Sequence, residues 1–116
     1  MGYINLHGTA TIKNDEMESC VVERVFGSTV PCSSTKSQIG HALGAAGAQE
    51  IGFCWLLLDD TNVNRRLPTH LWDGEPDPGL AQIGLTATDA VWEYPVFMSN
   101  SFAFGGSNVS VIIGRS

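Results

Sequence analysis

Positive charge is scarce in this 116-residue chain: six lysines and arginines face twelve aspartates and glutamates, for a net charge of −6. So few cations cannot neutralise a run of phosphates, which argues against nucleic acid as a partner. Cysteine is scarce too. Cys20, Cys32 and Cys54 are odd in number, scattered and without a CxxC pair, so neither a disulfide framework nor a thiolate zinc site is present in the pattern. They fit reduced thiols in a cytoplasm. The apolar segment Ile51–Leu58 is too short to span a bilayer, and Met1-Gly2-Tyr3 does not open a signal peptide. Internal repeats and low-complexity tracts are lacking. What remains is 43% hydrophobic and 16% charged, which excludes a disordered chain and leaves room for one domain at most.

The stretch that organises the rest runs from Ser33 to Glu50, where Lys36 and His41 lead into a helix of Ala and Gly. Small residues on every face let neighbouring backbones approach closely, so the spacing predicts a central, buried helix from about Gly40 to Leu58. Upstream, Tyr3 to Leu6 reads as a short buried strand opening onto His7. Asn14 is a good N-cap, with Asp15, Glu16 and Glu18 in the first turn of a helix whose apolar stripe is Met17, Val21 and Val25, with Val22 and Phe26, and which Gly27 ends. Val30–Cys32 is the next strand. From Thr61 to about Leu80 the chain is polar and carries Pro68, Pro76 and Pro78, a surface excursion. Gln82–Thr88 reads as a short strand, and Val96–Ser99 and Val109–Ile113 as two strands joined by a Phe-Ala-Phe-Gly-Gly turn. The order predicts an α/β fold with a mixed sheet.

Residue types alone leave the chemistry open. His7 and His41 sit at or just after strand ends, where they serve equally as loop caps or as hydrogen-bond donors to a substrate. A lysine and a glutamate in buried surroundings, Lys36 and Glu50, each require a partner. Glu18 is explained by its first-turn position. Thr9 and Thr11 point to one side of an extended segment, and Gly105-Gly106 leave backbone N–H groups bare after Phe102 and Phe104.

Three blocks, His7-Gly-Thr-Ala-Thr, Thr35-Lys-Ser-x-x-Gly-His41 and Ser99-Asn-Ser-Phe-Ala-Phe-Gly-Gly, fall in the order and at about the spacing of the β-ketoacyl-acyl-carrier-protein synthases. From Tyr3 to the end, residues 3–116, the chain resembles the C-terminal half of these condensing enzymes of fatty acid and polyketide synthesis. The resemblance implies a thiolase-like fold, of which this would be an incomplete C-terminal half. It further implies that His7 and His41 donate hydrogen bonds to the enolate formed when a malonyl thioester loses CO2. Lys36 would be held beside His41 by Glu18, Thr9 and Thr11 would bind the phosphopantetheine arm, and the N–H of Phe104 would form half of an oxyanion hole. The rings of Phe102 and Phe104 would line the acyl pocket. Asn5, Glu50, Ser99 and Asn100 match family positions for a structural monovalent cation, Na⁺ or K⁺, and all carry the oxygen ligands a hard cation prefers. Where the family commonly has glycine this chain has Ala103.

The family's nucleophilic cysteine belongs to an N-terminal half that these residues do not include. The expected partners are therefore acyl carrier protein, the missing half and a second copy in a homo-oligomer, with no tightly bound cofactor. A net charge of −6 places any basic docking patch for an acidic carrier elsewhere. Three readings follow: part of a ketosynthase that is inactive alone, a non-catalytic module that binds or oligomerises, or a small acyltransferase that uses Cys32 in its Pro-Cys-Ser-Ser setting.

Overall fold

A computed structural model of the chain describes residues 1–8, 12–34, 36, 46–68, 70, 83–86, 90–102 and 108–115. Its elements are β1 (Tyr3–Asn5), α1 (Ile12–Phe26), β2 (Pro31–Ser33), α2 (Ala46–Leu58), β3 (Gly84–Leu85), β4 (Val96–Phe102) and β5 (Asn108–Gly114). They build one five-stranded sheet in the order β3-β2-β1-β4-β5. β3, β2, β1 and β4 run parallel, and β5 returns antiparallel to β4. The expected α/β class and mixed sheet are present.

β1 is the centre. All three of its residues are buried, and Ile4 pairs with Cys32 on one side and Met98 on the other. Successive side chains point to opposite faces of a strand, so Tyr3 and Ile4 seed two cores. On one face Tyr3 and Phe97 join Cys54 and Leu58 of α2, with Leu67 and Trp92. Rings meet edge-on there, with centroids 5.4 Å apart for Tyr3–Phe97 and 5.8 Å for Trp92–Phe97. On the other face Ile4, Leu6, Cys32 and Met98 pack against Val22 of α1. The helices therefore cover opposite faces of one thin sheet.

Several expectations are corrected. α1 begins at Ile12, so Asn14 lies within the helix rather than capping it. Its C-terminus is as expected: Gly27 adopts φ of +72° and its N–H donates to the Glu23 carbonyl at 2.8 Å. A Cβ on Gly27 would meet nothing within 4 Å, so the backbone angle alone selects glycine there. Of the expected stripe Met17, Val21 and Val25 turn outward, with exposures of 41, 49 and 65%, while Val22 lies in the core with Phe26 packed against it, beside the inward Glu18 and Ser19. The inward face is thus partly polar, which a search for apolar periodicity cannot detect.

α2 is likewise buried on one face only. Glu50, Cys54 and Leu58, spaced by four, point inward, whereas Trp55 and Leu56 lie exposed. Gly40 to Ala45 lie outside the described residues. Of the expected strand at Gln82–Thr88, Gly84–Leu85 is a strand, Gln82, Ala87 and Thr88 lie outside the described residues, and Gly84 passes so close to Val30 that a Cβ would sit 2.7 Å from its carbonyl oxygen. The excursion after Thr61 is not wholly superficial. Leu67 reaches the core, and Arg66 bridges antiparallel to Val91. Among the described residues no helix is long and apolar enough to cross a membrane.

Candidate functional site

Parallel strands place their C-terminal ends together, and the sites of open α/β sheets lie beyond such ends. Here β1 leads into Leu6-His7-Gly8, β2 leads into Ser34 and on to Lys36, and β4 ends in Asn100-Ser101-Phe102. The first two turns are in contact. Gly8 has φ of +49°, and a Cβ built on it would lie 2.4 Å from the Ser34 Cβ, so both the angle and the space demand glycine. Ser34 Oγ donates to the Gly8 carbonyl at 3.2 Å and accepts the Lys36 N–H at 3.3 Å. One hydroxyl therefore ties the His7–Gly8 turn to the backbone of Lys36.

Glu18 does not hold Lys36, contrary to expectation. Its carboxylate, on α1, accepts the backbone N–H of His7 at 2.8 Å and of Gly8 at 3.0 Å, with the Asn100 amide at 3.4 Å. Asn100 is fixed in turn by Ser110 Oγ, which donates to its Oδ1 at 2.8 Å. Lys36 instead pairs with Glu50 of α2, and both side chains are buried, at 7 and 1% exposure. The reason is the layering: α1 and α2 lie on opposite faces of the sheet, and the Lys36 ammonium is directed to the α2 carboxylate.

His7 is 8% exposed, and its ring meets that of Phe102 edge-on with centroids 5.5 Å apart. His41, Thr9, Thr11 and Phe104 lie outside the described residues.

Below this layer is a set of buried polar atoms without hydrogen-bond partners: both side-chain atoms of Asn5, Glu50 Oε2 and Ser99 Oγ. The Asn5 amide approaches the Tyr3 hydroxyl without reaching hydrogen-bond geometry. That hydroxyl is instead bonded to Ser33 Oγ at 2.6 Å, and burial holds the phenol well above the usual tyrosine range. Buried orphans of this kind are costly. Three of the four residues expected to hold a monovalent cation thus present unsatisfied atoms, while Asn100 is engaged with Glu18 and Ser110.

Cys32 and Cys54 are not poised as nucleophiles. Cys32 is fully buried, and burial, with the Glu18 charge second, pushes its thiol up to about 12. Cys54 is pushed up to about 12 by burial and then by the Glu50 charge. Neither offers a thiolate near neutral pH, which removes the reading built on Cys32. Cys20 is exposed on α1.

Sequence reasoning missed His70. Its Nδ1 accepts the Ser34 N–H at 3.1 Å, so the third histidine of the chain joins the same turn. The signal was weak, a histidine within a proline-rich excursion with no spacing to either of the others.

Comparison with known proteins bears on the fold and the family. Residues 1–70 match the family described as "Beta-ketoacyl synthase, C-terminal domain". The chain is 40% identical to 3-oxoacyl-[acyl-carrier-protein] synthase 1 of Haemophilus influenzae, over 97% of this chain and 27% of that protein. A ketosynthase from Xenorhabdus doucetiae, solved in complex with its chain length factor, superposes with a TM-score of 0.91 at 50% identity, over all of this chain and 29% of that one. A β-ketoacyl synthase from Burkholderia phymatum superposes at 0.88 with 37% identity, over all of this chain and 28% of that one. The chain thus spans little more than a quarter of the relatives it matches.

Proposed function

The chain belongs to the β-ketoacyl synthase C-terminal domain family, and on that premise we propose that it supplies the decarboxylation half of a condensing site. The reaction is decarboxylative condensation of a malonyl thioester on acyl carrier protein with an acyl thioester, in fatty acid or polyketide synthesis in the cytoplasm. Loss of CO2 leaves an electron pair that delocalises onto the thioester oxygen. Hydrogen bonds from His7 and His41 stabilise that oxygen, and the enolate carbon then attacks the carbonyl of an acyl group carried on a cysteine, forming the C–C bond as the C–S bond breaks and the cysteine leaves as thiolate. A preorganised donor of this type contributes about 3 kcal/mol in other enzymes. Thr9, Thr11 and Phe102 line the path of the pantetheine arm, and the Phe104 N–H completes an oxyanion hole. The observation that carries the reading is the Ser34 link, which sets the His7 turn and Lys36 in one frame while Glu18 pins the backbone of His7.

Cys32 and Cys54 are buried and protonated and Cys20 lies out on α1, so the acyl-carrying cysteine comes from other residues and the chain is inactive alone. The cation site belongs to the same reading. Asn5, Glu50 Oε2 and Ser99 fit a monovalent cation, because each presents a buried oxygen lacking a partner and Lys36 neutralises only one side of Glu50. Such an ion is structural and takes no part in bond breaking. Crystals of the native protein grown with rubidium should show an anomalous peak among these oxygens, and a water there in rubidium and potassium alike would rule the ion out.

The exposed apolar residues of α1, α2 and β5 also support packing against another half or a second copy. The test of function is made in the complete protein. His7→Ala or His41→Ala should abolish malonyl decarboxylation while cysteine acylation survives in part. Full condensing activity in both variants would sink the assignment.

A further inference from the structure

The imidazole of His70 is used in a way that fixes its protonation. A backbone N–H can only donate, so the 3.1 Å contact from Ser34 makes Nδ1 an acceptor and places the ring hydrogen on Nε2. The ring is delivered to that spot by its own backbone. His70 N–H donates to the Thr86 carbonyl at 3.2 Å and to Thr86 Oγ1 at 3.1 Å, and Thr86 N–H donates to the Cys32 carbonyl at 3.0 Å. Thr86 Oγ1 donates in turn to the Pro68 carbonyl. The segment around His70 is therefore stitched to the end of β2, and from there its ring reaches the first residue beyond that strand.

That residue is the one whose hydroxyl bonds the Gly8 carbonyl and the Lys36 N–H. Ser34 approaches Gly8 closely enough that its Cβ lies 2.4 Å from where a Gly8 Cβ would stand, a place open only because residue 8 is glycine. The bond to His70 holds the Ser34 backbone from the other side. We infer that His70 is a positioning residue: through Ser34 it sets the separation of the His7–Gly8 turn from the Lys36 turn. The inference rests on reading His7 and Lys36 as site residues, and it adds a part that no motif of the chain announces. It acts through the backbone, so it needs the unprotonated Nδ1 and not the bulk of the ring.

The experiment compares wild type, His70→Ala and His70→Asn in the native protein that carries this chain. The Asn side chain places an oxygen acceptor close to where Nδ1 stood. Hydrogen exchange read by mass spectrometry should show the Ser34 amide exchanging about tenfold faster in His70→Ala. Amides of β1 and β4 should be unchanged, and His70→Asn should return the Ser34 amide toward the wild-type rate. Condensing turnover should follow the same order, lowered in the Ala variant and recovered in the Asn variant, with KM for the malonyl thioester unchanged. An unaltered Ser34 amide in His70→Ala overturns the inference, as does an Asn variant that behaves like Ala. Loss of protection throughout β1 and β4 in both variants also overturns it, because His70 would then hold up the fold and not one turn. If exchange responds as expected but wild type has no condensing activity, the proposed function falls and the placement of Ser34 by His70 stands.

Discussion

Glu18 and Glu50 are buried to the same degree, 3 and 1% exposed, on two helices that cover opposite faces of one sheet. Their surroundings differ in kind. Among the described residues Glu18 is met by neutral donors, two successive backbone N–H groups and an amide. Glu50 is met by a full opposite charge on Lys36, and its second oxygen has no partner. Backbone donors are rigid, so the first arrangement fixes geometry: where Glu18 sits, His7 must follow. An ammonium on four methylenes is mobile, so the second arrangement fixes charge and leaves position to other contacts. A site needs both, and here each comes from a different helix.

The sharpest way to break the comparison is to remove one carboxylate at a time. Glu50→Ala leaves the Lys36 charge buried and unpaired and should cost about 3–5 kcal/mol in denaturant unfolding of the native protein. Combining it with Lys36→Met should recover most of that, whereas an additive second loss would show that the pair is not a pair. Among the described residues Glu18→Gln removes no cation's partner. It turns one acceptor into a donor facing a backbone N–H, for about 1–3 kcal/mol. A loss as large as that for Glu50 would erase the distinction drawn here. Ser110→Ala, which frees the Asn100 carbonyl oxygen behind Glu18, should cost about 0.5–1.5 kcal/mol by the same measurement.

The smallest effect is the most local. Each carboxylate has its own thiol reporter, since the Glu18 charge raises Cys32 and the Glu50 charge raises Cys54. Both thiols stand near 12 in the fold against an ordinary 9.0, so their contribution to stability is present below pH 9 and is lost as pH rises toward 12. Glu18→Gln should lower the Cys32 value and narrow that window while leaving Cys54 alone, and Glu50→Gln the reverse. Thiolate absorbance during alkaline titration reads both. Equal movement of the two thiols in either variant would mean that the faces are not electrically separate.

Much of the fold was legible because β1, β4 and β5 are ordinary strands bounded by turn residues, and Gly27 stops α1 through a backbone angle. The outward stripe was not, because Met17, Val21 and Val25 satisfy the apolar template as well as an inward face would. Helical periodicity specifies that there is a face, not which neighbour it meets. The Glu18–Lys36 pairing failed for a related reason. The family resemblance implied that pair, yet only the layering shows that Lys36 meets the other helix. His70 was illegible because its role depends on a contact 36 positions away in sequence. Asn5, Glu50, Ser99 and Asn100 were grouped before any coordinates by the family resemblance and not by residue type, and polar atoms of the first three are buried without a partner among the described residues.

β5 carries a further consequence. It is the last strand of the sheet, seven residues without a charge or a proline, with Val109, Val111 and Ile112 exposed. Natural edges are usually blunted by the devices this one lacks. Whenever β5 is left uncovered, as after proteolytic nicking, it is a ready template for strand-to-strand stacking between molecules. The cell then has reason to keep such species brief, through rapid assembly or through disposal.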